Sequence, residues 1–385
     1  MDALKRDQLK ALVEPRSGPC VSIYLPTHRA GAEIRQDPIR LKNLLKLAEE
    51  RLAANGLRPV EVKPLLEPAY KLEKDQAFWR EQVEGLAVFL SPEFFRYFRL
   101  PSRFDEAVRT GTRFYLKPLM PLLGGDRKFY VLGLSKNQVR LLRATRYSAE
   151  EIDLDSVPQG LADLLRSSGF VPELEYHTRT AGRASGDRAA IIHGHGAGGA
   201  EDEKTELFEY FRKVDSGLKE FFKDRTDALV LAGVEYLFPI FREANTYPYL
   251  LPGGIPGNPD GLKPGVLHQR AWAVVRSFYD RNREEAAARC RELLGSERAS
   301  DDVRKIVPAA YHGRVSALFV REGAERWGRF DAASGEVALH EQVTPEDDDL
   351  LDFAAAQSFA QGGDVYVLPE AKMPSAAEAA AAFRY

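Results

Sequence analysis

Within IIHGHGAGGAEDEKTELFEYFRKVD, residues 191–215, His193 and His195 alternate, Gly198 and Gly199 follow, and Glu201, Asp202 and Glu203 open an amphipathic helix pattern. Imidazoles titrate near neutral pH, which suits the two histidines to general-base work or to metal ligation. As a metal site, alternating histidines on an extended segment can face one cation, with Glu201 or Asp202 as a third ligand. As a phosphate cradle, glycines before a helix N-terminus aim backbone N–H groups at an anion. The stretch lacks the Gly-Lys-Ser/Thr ending and the dinucleotide glycine spacing, and its carboxylates fill the first turn. The third reading is an exposed loop whose acidic residues complement the helix dipole. On these residues alone the third reading leads.

The elements that must position this stretch are read from periodicity and punctuation. A helix carrying Leu4, Leu9, Leu12 and Val13 stops at Pro15, and PCVSIYLPT reads as a strand. The polar loop THRAGAEIRQ leads to a helix with Asp37 as N-cap, Pro38 at its first position, and Ile39, Leu41, Leu44, Leu45 and Leu52 on its apolar face. GLAVFL reads as a buried strand, and KFYVLGLSKNQVRLLRAT as two strands joined by a Lys136-Asn137 turn. The helix after the Gly/His stretch puts Leu207, Phe208, Phe211, Val214 and Leu218 on one side, and ALVLAG follows as a strand. LLPGGIPGNPDGLKPG reads as a Pro/Gly-rich bridge, and beyond it come a long helix, the strand RVSALFVRE, the helix in DDDLLDFAAAQSFAQGG and the strand DVYVLPE. Strands alternating with helices define an α/β protein with mostly parallel pairing. SAAEAAAAF reads as an alanine-rich low-complexity tail.

Bulk properties narrow the function classes. A chain of 385 residues implies two or three domains. With 54 Lys and Arg against 57 Asp and Glu, the net charge of −3 excludes a generally basic coat but not local patches. Basic residues concentrate in the first 150 positions, at Arg29, Arg35, Arg40, Lys42 and Lys46, then Arg96, Arg99 and Arg103, then Arg127, Lys128, Lys136, Arg140 and Arg143. The acidic run EDDDLLD lies near the C-terminus and favours a protein partner there. Cys20 and Cys290 have no ligand-like spacing and read as buried thiols of a reducing compartment. No apolar run is long enough for a membrane span, so a cytoplasmic protein is expected. FFRYFRLPSRF could stack bases, but phenylalanines at that density read as core, as do Trp272 and Trp327. His268 and His312 read as satisfied structural histidines, and Glu235 with Arg242 as a helix-borne ion pair.

The order of segments resembles the class-1 translation termination factors of eukaryotes and archaea, their relative Pelota, and most closely the bacterial archaeo-eukaryotic release factor-like proteins. GAGGAEDEKTELFEYFRKVDSGLKEFF followed by ALVLAGVEYL is similar to the family's Gly-Gly-Gln loop, long helix and following strand, with Gly198-Gly199 at the loop position. FYLKPLMPLLGGDRKFYVLGLSKNQVRLLRAT resembles the strands that open that domain. GPCVSIYLPTHRAG and DPIRLKNLLKLAEERL resemble the first domain, and LLDFAAAQSFAQGGDVYVLPE with the final AAFRY resembles the last. Ala200 stands where the family has Gln, and Glu and Asp replace basic flanks, so a positioning group for water on the peptidyl-tRNA ester is absent. No stop-codon motif is recognisable in THRAGAEIRQ.

What the resemblance implies is three α/β domains in series: 1–112 at the decoding side, 113–256 ribonuclease H-like with the Gly/His loop, and 257–385 an α/β/α sandwich resembling kink-turn-binding ribosomal proteins. The expected role is tRNA-like binding in the ribosomal A site, in rescue, a stalling response or hibernation. Expected partners are rRNA, P-site peptidyl-tRNA and a translational GTPase. Arg29, Arg35, Arg40, Lys42, Asn43, Arg140 and Arg143 are the expected RNA contacts, and no cofactor or metal is expected. The alternatives are a peptidyl-tRNA hydrolase using His193, His195, Gly198 and Gly199 in the 193–204 loop, and a metal-dependent hydrolase unrelated to ribosomes.

Overall fold

The computed structural model describes residues 6–124, 128–154, 156–167, 199–344 and 346–385. The chain forms two compact units, Met1–Asp126 with Asp280–Tyr385, and Arg127–Tyr279. It is a mixed α/β protein with several sheets.

The first half of unit 1 begins with α1 (Arg6–Val13), which ends before Pro15, and β1 (Cys20–Pro26), buried along its whole length. Next come α2 (Asp37–Ala54), α3 (Pro59–Lys74), α4 (Gln76–Arg80), β2 (Gly85–Ser91), β3 (Phe94–Leu100), β4 (Ala107–Gly111) and the short α5 (Met120–Gly124). The sheet order is β3-β2-β1-β4, antiparallel throughout. One face is covered by Leu41, Leu44, Leu45, Ala48 and Leu52 of α2 and by Val62, Leu65, Leu66 and Ala69 of α3. On the other, Tyr24, Phe89, Phe98, Phe104 and Phe114 meet edge to face at centroid distances of 5.2 to 6.1 Å. The aromatic-basic segment is therefore edge strand β3, with Phe98 and Leu100 in the core. Ile39 departs from the expected apolar face and is 50% exposed.

Unit 2 contains β5 (Phe129–Leu134), β6 (Val139–Ala144), β7 (Ala149–Ile152), α6 (Leu161–Ser167), α7 (Gly199–Phe222), β8 (Ala228–Gly233), α8 (Leu237–Ala244) and β9 (Leu250–Pro256). The hairpin between β5 and β6 closes where the sequence places it. Ser135 N–H donates to the Gln138 carbonyl at 3.0 Å, and Ser135 Oγ accepts from the amides of Asn137 and Gln138. The five-stranded order is β7-β6-β5-β8-β9, with β5, β8 and β9 parallel. Leu207, Tyr210, Phe211, Val214 and Leu218 of α7 pack with Leu237, Ile240 and Phe241 of α8 on one face. On the other face lie Leu267, Ala271 and Val275 of α9 (Pro264–Leu293), a helix that starts in unit 2 and ends in unit 1.

The supposed Pro/Gly bridge is thus in part a strand. β9 is an edge strand, where Pro252 and Pro256 need not donate to a neighbour on both sides.

The second half of unit 1 contains β10 (Ala299–Ser300), α10 (Val303–Tyr311), β11 (Val315–Arg321), β12 (Trp327–Phe330), β13 (Val337–Leu339), β14 (Asp348–Asp349), α11 (Leu350–Ala360), β15 (Asp364–Leu368) and β16 (Ala379–Phe383). Its main sheet runs β10-β16-β11-β15, and a small sheet runs β13-β12-β14. The alanine-rich tail is central strand β16, with Ala379, Ala380 and Ala381 fully buried. Small side chains let Ala287 and Cys290 of α9 close on that sheet. The expectation of mostly parallel pairing fails, because only β5·β8, β8·β9 and β11·β15 are parallel among the described strands. Short hairpins between consecutive strands impose the antiparallel pairs β2·β3, β5·β6, β6·β7 and β12·β13.

Candidate nucleic-acid interface

The basic loop and helix of unit 1 are held from beneath. Thr27 Oγ1 donates to the Val83 carbonyl at 2.9 Å, and Thr27 N–H to that of Glu84 at 3.0 Å. Asp37 is fully buried and accepts from His28 N–H at 2.8 Å, with His28 Nδ1 2.9 Å from its other oxygen. Asp37 is thus not the N-cap of α2 but its first residue, turned back to pin the loop; Gln36 precedes the helix without a side-chain cap.

This pinning leaves Arg35, Lys42, Asn43 and Lys46 in solvent, and none of the three cations has an ion-pair partner among the described residues. Lys42 and Lys46 stand one turn apart, an arrangement of like charges that costs about 0.2–0.5 kcal/mol in an isolated helix. Exposed Ile39 shares their stripe, at spacings of three and seven residues. The other expected contacts have partners. Arg40 lies 3.3 Å from Glu33 and 3.8 Å from Glu106, and Arg29 lies 3.6 Å from Glu84. In unit 2, Arg143 pairs across strands with Glu150, both well exposed.

Arg140 is placed elsewhere. It is buried, forks onto Glu151 at 2.6 and 2.9 Å, and donates through NH1 to the carbonyls of Pro259 and Leu262 at 2.9 and 2.8 Å. Its hydrogen bond to Glu151 raises the guanidinium further and lowers the carboxyl. The fork ties β6 to β7, the NH1 bonds fasten β6 to the segment before α9, and no face of the guanidinium is left open to a phosphate.

His193, His195 and Gly198 lie outside the described residues, as do the side chains of Ala200, Glu201 and Asp202. What is placed is the start of α7 at Gly199, with Glu203 paired to Lys136 of the β5–β6 turn. Among the described residues no group of three or more His, Cys, Asp or Glu is arranged to hold a metal ion. Burial pushes the thiols of Cys20 and Cys290 up to about 11, so neither is a ready nucleophile. His268 is satisfied by the Thr145 carbonyl at 2.7 Å, whereas His312 is exposed. Arg242 donates to the Pro252 carbonyl rather than pairing with Glu235.

The acidic run is the largest departure from expectation. It does not form an exposed face. Asp347, Asp349 and Asp352 are 5, 8 and 6% exposed, and each is engaged inside unit 1. Asp347 lies 2.8 Å from His340 Nδ1 and accepts from Thr344 N–H, also at 2.8 Å. Asp349 caps α11 through Leu351 N–H and pairs with buried Lys117 at 2.7 Å. Asp352 accepts from Leu116 N–H at 2.8 Å and from Lys117 N–H. Burial first, and then the charge of Asp349, push the Asp352 carboxyl up to about 7, with Lys117 and the two amides opposing.

The fold is that of a mixed α/β protein with several sheets. Residues 128–314 match the family model of bacterial archaeo-eukaryotic release factor family 3, which is the resemblance read from the sequence. No curated protein matches the chain in sequence. Among solved structures, an archaeal translation termination factor, aRF1, is 14% identical, with 99% of each chain covered and a TM-score of 0.25. A model of ribosome-bound archaeal Pelota with ABCE1 is 11% identical over 100% of this chain and 95% of that one, at a TM-score of 0.40. Saccharomyces cerevisiae Dom34, a translation termination-like factor of RNA quality control that interacts with Hbs1, is 11% identical over 78% and 74%, at 0.33. These likenesses carry no residue roles.

Proposed function

We propose that the chain is a cytoplasmic, ribosome-associated translation factor that occupies the A site in a tRNA-like manner, in rescue, a stalling response or hibernation, without reading stop codons. The observation that carries this reading is the release-factor family match over residues 128–314. The free cations of α2 and of the turn before it supply an RNA-facing surface, since unpaired ammonium and guanidinium groups on a held backbone gain most from releasing counterions of a phosphate backbone. Arg35, Lys42, Asn43 and Lys46 make the principal contacts. Arg29, Arg40 and Arg143 contribute by exchanging carboxylate partners for phosphates. Residues 1–112 face the decoding centre, residues 113–256 bring the 193–204 loop toward the peptidyl transferase region, and residues 257–385 meet a translational GTPase. That last assignment no longer draws on the acidic run.

Co-sedimentation of the purified protein with 70S ribosomes over a salt series tests this, with labelled peptidyl-tRNA in the P site so that release is read in the same tubes. Salt-sensitive binding without release is expected. Release that disappears on changing His193 or Gly199 would replace the reading with a peptidyl-tRNA hydrolase, and no binding at low salt would end both.

A further inference from the structure

The segment Thr112–Lys117 lies between the two α/β halves of unit 1 and bonds to both. Toward the first sheet, Tyr115 N–H donates to Ser22 Oγ at 2.9 Å, Tyr24 O–H donates to the Tyr115 carbonyl at 2.6 Å, and Cys20 Sγ approaches the Thr112 carbonyl at 3.6 Å. Toward the C-terminal half, Thr112 Oγ1 bonds the Asp348 carboxylate at 2.9 Å, and Arg113 sits 3.5 Å from Asp348 and 4.7 Å over the Phe353 ring. The amides of Leu116 and Lys117 converge on Asp352, and the Lys117 ammonium on Asp349 and the Ala324 carbonyl.

We infer that Thr112–Lys117 is a latch that locks the two α/β halves of unit 1 into a single body, with Lys117 as its bolt. The latch does not depend on the ribosome reading. Three features set the register of the strap. Asp352 is met by two consecutive amides, which a one-residue slip would separate. Lys117 is 5% exposed, so the same slip would leave a buried ammonium without its carboxylate. Tyr115 is held by both its N–H and its carbonyl on the opposite side, so the strap cannot rotate to compensate. A buried ion pair of this kind adds little net stability over an apolar replacement, yet losing one partner is costly; its use is to admit one arrangement and reject its neighbours. Such a latch is either engaged or open.

Hydrogen exchange and a spin-label distance test the latch together. Labels are placed at Glu50→Cys on α2 and Arg304→Cys on α10, both exposed, with Cys20 and Cys290 protected from labelling by burial. In Lys117→Met, exchange at the Leu116, Lys117 and Leu351 amides should rise at least tenfold, the label distance should broaden, and protection within β1, β2, β11 and β16 should hold. Should Lys117→Met not fold, Thr112→Val, which leaves the buried pair intact, should broaden the distance to a smaller degree. An unchanged distance distribution in whichever variant folds would show that the strap is local packing and overturn the inference. Uniform loss of protection through both sheets would do the same, since it marks a core-stability residue rather than a latch.

Discussion

Two charged stretches of this chain look alike as sequence and differ in structure. Arg35 and, on α2, Lys42 and Lys46 reach solvent without an ion-pair partner among the described residues, whereas the acidic residues 347–352 are drawn inside unit 1 and engaged there. Spacing explains much of the contrast. In α2 the cations sit at positions the Leu41, Leu44, Leu45 and Leu52 stripe leaves outward. In the acidic run, Asp349 and Asp352 fall at the cap and first turn of α11, a helix buried on nearly every side, so its polar start must be satisfied from within. A charge run is a surface only where the element carrying it has a face to spare.

The difference can be broken at its strongest point first. Lys117→Met strands Asp349 in the interior and should lower the free energy of opening between the two halves of unit 1 by about 3–5 kcal/mol, read by exchange at the Leu116, Lys117 and Leu351 amides; a loss within ~0.5 kcal/mol would show the acidic run is not internally committed. Arg140→Ala should cost about 2–3 kcal/mol by removing charged hydrogen bonds to Glu151 and two carbonyls, while the salt dependence of ribosome binding stays as in the wild type. A changed salt slope would return Arg140 to the RNA-binding set.

Titration sharpens the contrast further. The Asp352 carboxyl is raised to about 7, so the folded protein holds this proton more tightly than the unfolded chain. Its contribution therefore favours folding at low pH and is lost as pH rises from the ordinary carboxylate range, about 4, through about 7. Asp352→Asn, whose carbonyl oxygen can still accept both amides, should gain on the wild type between pH 5 and pH 7.5, by on the order of 1 kcal/mol per pH unit at most. Parallel stability profiles for the two proteins would contradict the assignment. At the small end, Arg143→Ala should shift stability by less than about 0.5 kcal/mol, because Arg143 and Glu150 form an exposed pair.

Much of the scaffold was legible. Continuous apolar runs gave β1, β2 and β8, the turn residues placed the β5–β6 hairpin, and helical periodicity from Leu207 to Leu218 gave α7. β9 was hidden because prolines argue against a strand unless it is known to be an edge; β16 was hidden to composition, because alanine packs into a sheet only where a helix presses close, and was legible only in the resemblance of AAFRY to the family's final strand. Arg140 and Arg143 shared one expectation, although they are three residues apart on a strand and so point to opposite faces; period-two reading would have separated them. The tertiary partners of Asp349 and Asp352 lie more than 230 residues away at Leu116 and Lys117, beyond the reach of local pattern. Lys46 and Ile39, the neighbours that complete the exposed stripe, were visible as residues but not as parts of a site.

The most direct test of the central claim, that the free cations of α2 and of the turn before it dock this chain on ribosomal RNA, is the salt slope of 70S binding for the wild type against the Arg35→Glu, Lys42→Glu, Lys46→Glu triple variant. The wild type should bind at low salt and lose affinity steeply, while the folded variant binds more weakly with a slope reduced by roughly 0.7–0.9 for each phosphate it no longer neutralises. A folded variant that matches the wild type in affinity and slope would contradict it.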